Sequence, residues 1–215
     1  MSTSDPGRRS VPRPTSLPRS PAAPPGEIRL IGGRWKRSRL PVLALPGLRP
    51  TPDRVRETLF NWLGQTLAGW RVLDAFAGSG ALGFEAASRG AAAVLMVEQH
   101  PKLVRQLHDN RTRLGADAVQ VVHDDALAWM RQRRVADLDL VLLDPPFGAD
   151  LFDAAVRAAA PLLGDTGWLY LEADRPFDAA TCAGWGFLLH RQGRAGQVHY
   201  HLLQRLSRSG TADVP

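Results

Sequence analysis

Arg71 to Phe76 is an apolar, strand-like run that passes through Ala77-Gly78-Ser79-Gly80-Ala81-Leu82-Gly83 into a helical stretch, Ala81 to Ser88, and on to a second apolar run, Ala92 to Glu98. A strand, a glycine turn, a helix and another strand form a βαβ unit. Its two strands must lie parallel, because a crossover helix returns the chain to the same end of the sheet. The pattern then repeats. Ala118 to His123, Leu138 to Asp144 and Trp168 to Glu172 read as further buried strands, with helices over Pro101 to Leu114, Ala126 to Arg134 and Leu151 to Leu163. Such alternation predicts an α/β doubly wound sheet with helices on both faces. The end differs: Gly186 to Gln192 and Gln197 to Leu203 are joined across Gly193 to Gly196, too few residues for a helix, so they predict an antiparallel hairpin at the sheet edge. The expected fold is thus a Rossmann-like, mostly parallel seven-stranded sheet closing in an antiparallel hairpin.

Charge divides the chain further. Of the 17 prolines, 7 lie in residues 1–25, which carry four arginines against one acid and almost no large apolar side chains. That composition predicts a disordered tail, with a second flexible tail over 207–215. Residues 26–65 form a basic element ending in a helix, and 66–206 the α/β domain. From Ile28 to Arg56 eight basic residues face one acid, Asp53, with Trp35 interleaved. This is the densest positive field outside the tail, and it favours a polyanion. Thr51-Pro52-Asp53 reads as an N-cap, a first-turn proline and a first-turn acid, launching a helix that buries Val55, Leu59, Trp62 and Leu63. No apolar run approaches the ~20 residues of a membrane span. The single cysteine, Cys182, supplies neither a disulfide nor a metal pair, and the reading is cytoplasmic and metal-free.

Gly78, Gly80 and Gly83 make a literal GxGxxG, which alone fits NAD as well as S-adenosylmethionine. Asp74 separates the two. A dinucleotide would bring its pyrophosphate against that carboxylate, whereas S-adenosylmethionine carries an α-ammonium that needs a negative partner. Asp74 is expected to pair with the ammonium or to organise the loop around it. Glu98, ending the second strand, can accept ribose hydroxyls. After the third strand, Asp124 or, better, Asp125 just before Ala126 can accept from the adenine amine, and Asp125 also fits a helix N-cap.

Leu140-Val141-Leu142-Leu143-Asp144-Pro145-Pro146-Phe147 ends the fourth strand with an acid, two prolines and an aromatic, beside the ligand crevice of such a sheet. An amine on a nucleobase is a poor nucleophile because its lone pair is delocalised into the ring. Asp144 and the Pro145 carbonyl can each accept one of its N–H groups and turn the lone pair towards an electrophilic methyl. At an ordinary carboxylate pKa of ~3.9, Asp144 would act as an ionised acceptor more than a strong base. Pro145 and Pro146 stiffen the loop, and Phe147 offers a face for a flipped-out base.

Together these residues resemble the RsmD-type small-subunit ribosomal RNA guanine-N2 methyltransferases, which modify guanine(966) of 16S rRNA. The resemblance spans roughly Arg29 to Arg205, and the run from Arg49 to Trp62 singles out this family from other amino-methyltransferases. It implies S-adenosylmethionine held by Asp74, Phe76, Gly78, Gly80, Glu98, Asp125 and Ala126, and a catalytic pocket of Asp144, Pro145, Pro146 and Phe147. It also implies RNA contacts from Arg29, Arg34, Arg49, Arg54 and Arg56. The partner would be 16S rRNA in the small subunit or its assembly intermediate, and the enzyme a monomer. Gln99 and His100 depart from the family pattern after Glu98. The rival readings are an adenine-N6 methyltransferase, an NAD-dependent oxidoreductase, which Asp74 disfavours, and a non-catalytic RNA-binding protein.

Overall fold

A computed structural model describes residues 26–45, 51–133 and 136–206 of the 215. The expected tails and Arg49 lie outside the described residues. The chain opens with β1 (Gly26–Arg29) and β2 (Arg39–Val42), an antiparallel ribbon, followed by α1 (Asp53–Trp62). Then come β3 (Arg71–Asp74), α2 (Ala81–Ser88), β4 (Ala93–Glu98), α3 (Pro101–Leu114), β5 (Val119–His123), α4 (Ala126–Arg131), β6 (Leu138–Leu143) and α5 (Phe152–Ala159). A 3₁₀ turn at Ala160–Leu162 leads into β7 (Leu163–Ala173), and α6 (Ala179–Gly184), β8 (Phe187–Ala195) and β9 (Val198–Arg205) complete the chain.

The strands from β3 onward form one sheet in the order β5-β4-β3-β6-β7-β9-β8. The first five are parallel; β9 runs antiparallel between β7 and β8. The fold is class I methyltransferase-like, and the expected hairpin is present, with a tighter turn at Gly196 and Gln197. Successive winding runs outward from β3 to β5 and then from β6 to β7, so the direction reverses between β3 and β6. That switch point opens a crevice at the carboxyl ends of the strands.

Alternate residues of β6 show why the sheet is buried on both faces. Leu140 and Leu142 belong to a cluster with Val72, Phe84, Met96 and Tyr170, while Val141 and Leu143 pack with Leu73, Met130, Phe152 and Val156 on the other side. Ile28, Leu30, Leu40, Leu59 and Phe60 join the first cluster, so the basic element shares its core with the α/β sheet.

Three expectations need correction. Strand β7 starts at Leu163, five residues before Trp168, because Gly164-Asp165-Thr166-Gly167 interrupts its apolar run; the helix before it is correspondingly shorter. Helix α6 was not expected. Thr51 does not cap α1: Pro52 occupies that position without a side-chain cap, and the Thr51 hydroxyl is committed elsewhere.

Candidate active site

The carboxyl ends of the parallel strands line a cavity of about 940 Å³. Asp74 comes from β3, Glu98 from β4, Asp124 and Asp125 from just beyond β5, Asp144 from just beyond β6, and Glu172 from β7. Among the described lining residues there are thus six acids and neither a lysine nor an arginine. The other walls are the glycine loop, Phe147 with its two prolines, Leu45, Thr51 and Pro52 from the basic element, and the β8–β9 turn.

The glycine loop is held from beneath by Asp74, which is 1% exposed and whose Oδ2 accepts the Gly83 N–H at 2.9 Å. Gly80 caps α2 in the left-handed region at φ 80, and a Cβ there would sit 2.6 Å from Leu107 Cδ2. At Gly83 a Cβ would be 2.5 Å from Met96 Cε and 3.0 Å from Asp74 Oδ2, so a side chain there would crowd the methionine tip and the loop-holding carboxyl. Glu98 shapes the loop from the other side: Oε2 accepts the Gly78 N–H at 2.8 Å and Oε1 the His100 N–H at 2.7 Å. Each oxygen keeps a lone pair free for a ligand. Asp125 caps α4, its Oδ1 accepting the Ala128 N–H at 2.8 Å, which leaves Oδ2 uncommitted at the cavity wall. Phe76, Gly78 and Ala126 line the same cavity; Gly80 supports the loop from behind.

Beyond β6, Asp144 is half-buried, Pro145 buried, and Phe147 43% exposed with its ring 6.3 Å from that of Phe152. Gly148 and Asp150 both take positive φ, turning the chain sharply after the aromatic, and Arg175 pins the turn by pairing with Asp150 at 2.7 Å. The four residues from Asp144 to Phe147 therefore share one cavity with the glycine loop.

Glu172 was missed in the sequence, where an acid at a strand end carried no signal of its own. It is 3% exposed, and its Oε1 accepts the hydroxyls of Thr51 and Tyr170, each at 2.9 Å. Three carboxyl groups, Asp74, Asp144 and Glu172, thus lie on one side of adjacent strands. Burial, with Glu98 and Glu172 nearby, pushes Asp74 up to about 7 despite the Gly83 N–H. Asp144 is raised well above the carboxylate range by burial first and then by Glu172 and Asp74. Glu172 is raised by burial against the pull of the Tyr170 and Thr51 hydroxyls. Asp144 is therefore not the ordinary carboxylate expected from sequence. Such a cluster favours a cationic ligand and disfavours a pyrophosphate.

The basic residues separate into two groups. Arg29, Arg34 and Arg54 are exposed: Arg29 pairs with Asp53 at 3.1 Å, the Arg34 guanidinium lies 5.8 Å from the Trp35 ring centre, and Arg54 is two residues from cavity-lining Pro52. Arg56, expected to reach RNA, is 0% exposed. Its Nη1 donates to Glu85 Oε2 at 3.3 Å, Nη2 to Asp53 Oδ1 at 2.6 Å and to the Arg29 carbonyl at 2.9 Å, and Nε to the Thr51 carbonyl at 3.2 Å. Glu85 also accepts from Arg89 Nε and the Ile31 N–H. Arg56 is a clamp between the basic element and α2, with four of its five N–H donors engaged and its side chain buried out of reach of RNA.

A family model described as conserved hypothetical protein 95 matches residues 28–204. Ribosomal RNA small subunit methyltransferase D of Escherichia coli is 43% identical over 187 residues, 84% of this chain and 91% of the relative. The protein of the same name from Haemophilus influenzae is 38% identical over 83% of this chain and 94% of its own. Among solved structures, yhhF of Escherichia coli superposes with a TM-score of 0.74 at 40% identity, covering 85% of this chain and all of the other.

Proposed function

The chain belongs to the conserved hypothetical protein 95 family, the RsmD-type methyltransferases, and from that premise we propose a specific reaction. It transfers a methyl group from S-adenosylmethionine to the N2 amine of guanine 966 of 16S rRNA, in the small subunit or its assembly intermediate. The observation that carries this reading is a single cavity holding both the Asp74 glycine loop and Asp144 to Phe147, walled by acids and free of lysine and arginine among its described residues.

The donor set fits the cofactor. Asp74 and its neighbouring carboxyls offer negative charge to an α-ammonium, Glu98 retains lone pairs for ribose hydroxyls, and Asp125 Oδ2 suits an exocyclic adenine amine. When bound, S-adenosylmethionine supplies a methyl group made electrophilic by its sulfonium. Asp144 and the Pro145 carbonyl accept the two N–H groups of the target amine, freeing its lone pair from the ring. Because its surroundings raise its proton affinity, Asp144 is also suited to take the proton that the nitrogen must lose. Phe147 presents an exposed ring on which a flipped base can stack, worth ~1–3 kcal/mol. Arg29 and Arg54, beside the first turn of α1, supply the exposed positive charge that holds the RNA backbone near the cavity mouth, whereas Arg34, beside Ser88 at the far end of α2, would meet only RNA that extends away from it.

The test incubates the full-length chain with small subunits and with naked 16S rRNA, using a labelled methyl donor, followed by nuclease digestion and mass spectrometry. N2-methylguanosine at position 966 is expected, and Asp144→Ala should bind cofactor yet transfer no methyl. Methylated adenine, or no methylated guanine from either substrate, refutes the assignment.

A further inference from the structure

The two carboxylate oxygens of Glu172 are used unequally. Oε1 accepts both hydroxyls, from Thr51 and Tyr170. Oε2 has no hydrogen-bond partner among the described residues. It is not sealed away either: the fully buried, unpartnered side-chain atoms there are Arg111 Nε and Trp129 Nε1, whereas Glu172 lines the cavity. A side chain 3% exposed is thus held by one oxygen and presents the other to the ligand space.

The strand register sets Glu172 beside Asp144. β6 and β7 pair Leu142 with Tyr170 and Leu143 with Leu171, so Asp144 and Glu172 follow as the next neighbours, on strands ~4.8 Å apart. Asp74, paired with Leu142 from the opposite side, projects on the same face. A base that offers its amine to Asp144 therefore brings the next atom of its edge to Glu172.

What that atom carries differs between bases. In guanine the N2 amine adjoins N1–H, so two donors stand side by side. In adenine and cytosine the amine adjoins a bare ring nitrogen, an acceptor whose lone pair would face the Glu172 carboxylate. We propose that Glu172 is the specificity-determining residue: its Oε2 accepts the N1–H of the target guanine while Asp144 accepts from the N2 amine. This rests on the guanine-N2 reading above and adds the group that enforces it. The two hydroxyls on Oε1 hold the carboxyl in place and act against the upward push of burial, and N1–H donated to Oε2 would stabilise the ionised form further.

The test uses small subunits reconstituted on ligated 16S rRNA carrying guanine or 2-aminopurine at the acceptor position. 2-Aminopurine keeps the same C2 amine, but its N1 is a bare acceptor. The wild-type protein should prefer guanine by ~100-fold or more in kcat/KM, because an unpaired buried acceptor rejects the analogue. Glu172→Gln can keep Oε1 on both hydroxyls and turn an NH₂ donor to the cavity. It should lower guanine methylation ~100-fold while leaving 2-aminopurine methylation within ~5-fold of wild type, collapsing the preference. Thr51→Val loosens the tether on Glu172 and should lower guanine methylation more than 2-aminopurine methylation, narrowing the preference in the same direction as Glu172→Gln but by less. A single cooperative transition in scanning calorimetry verifies that Glu172→Gln is folded.

An equal fall on both substrates makes Glu172 a tether only and overturns the proposal. So does a wild-type preference below ~3-fold, which can be read even if the variant does not fold. A wild-type protein that puts no methyl on the N2 of guanine refutes the function itself, whereas N2 transfer with an unchanged ratio in Glu172→Gln refutes only the role of Glu172.

Discussion

Arg56→Met separates a structural clamp from an RNA contact. Methionine fills much of the space of the arginine stem but has no donors, so the change strips one partner each from Glu85 and Asp53 and takes the Arg56 donors from the Thr51 and Arg29 carbonyls. Breaking a buried ion pair costs ~3–5 kcal/mol. Glu85 keeps Arg89 Nε at 2.9 Å and the Ile31 N–H at 2.9 Å, which places the loss towards the lower end of that range. The two carbonyls, in partly buried surroundings, add ~1 kcal/mol each at the low end. A total of ~5 kcal/mol in a chain of this size lowers Tm by ~10–20 °C. Scanning calorimetry of the full-length protein should show that fall. Below the variant's transition, RNA binding should keep the wild-type dependence on salt. Arg54→Ala, an exposed position two residues earlier, should do the reverse: Tm is unchanged, and the slope of log K against log salt drops by ~0.7–0.9, one phosphate contact. If Arg56→Met melts within ~2 °C of wild type and loses one unit of salt slope, the clamp reasoning is wrong.

Two further outcomes follow from the cavity. With Asp74 at about 7 in the fold and 3.8 unfolded, the folded cofactor-free protein holds the extra proton between those values; its stability therefore declines as pH rises through that window. Asp74→Asn, which can still accept the Gly83 N–H, should flatten the decline in Tm between pH 5.5 and 7.5 and sharply weaken cofactor binding; an unchanged slope would show that Asp74 is not the titrating group. Gly80→Ala forces a side chain into φ 80 and to 2.6 Å from Leu107, and should cost ~1–3 kcal/mol in denaturant unfolding along with cofactor affinity.

What could be read from the sequence was what short-range chemistry decides. Alternating apolar runs and glycine punctuation placed α2 and α3 to the residue and located every parallel strand, because each signal lies within its own element. Asp74 and Asp144 were visible for the same reason, each sitting at the end of a strand beside a distinctive turn. Residues whose partners lie far along the chain were misread or missed. Arg56 looks like its neighbour Arg54 in a basic run, and only Glu85, 29 residues away, reveals that it is buried. The start of β7 was hidden by two glycines and two polar residues that the sheet tolerates at its irregular register with β6. Glu172 has no motif around it, and its meaning appears only when β6 and β7 are laid side by side.

Thr51 shows why a locally sound expectation failed. A threonine before Pro-Asp is well suited to an N-cap, a role worth ~1 kcal/mol. Instead α1 starts without a side-chain cap, and the hydroxyl crosses 121 residues of sequence to reach Glu172 at 2.9 Å. Departures from local preference that persist in a folded protein tend to sit at functional sites. Here the departure joins the helix that begins at the basic element's cavity-lining Pro52 to the carboxyl cluster beneath it. The position of the α1 entry and that of the Glu172 carboxyl are therefore tied through one hydrogen bond. The threonine hydroxyl stabilises the position of Glu172, where base selection is decided, in place of the first turn of its own helix.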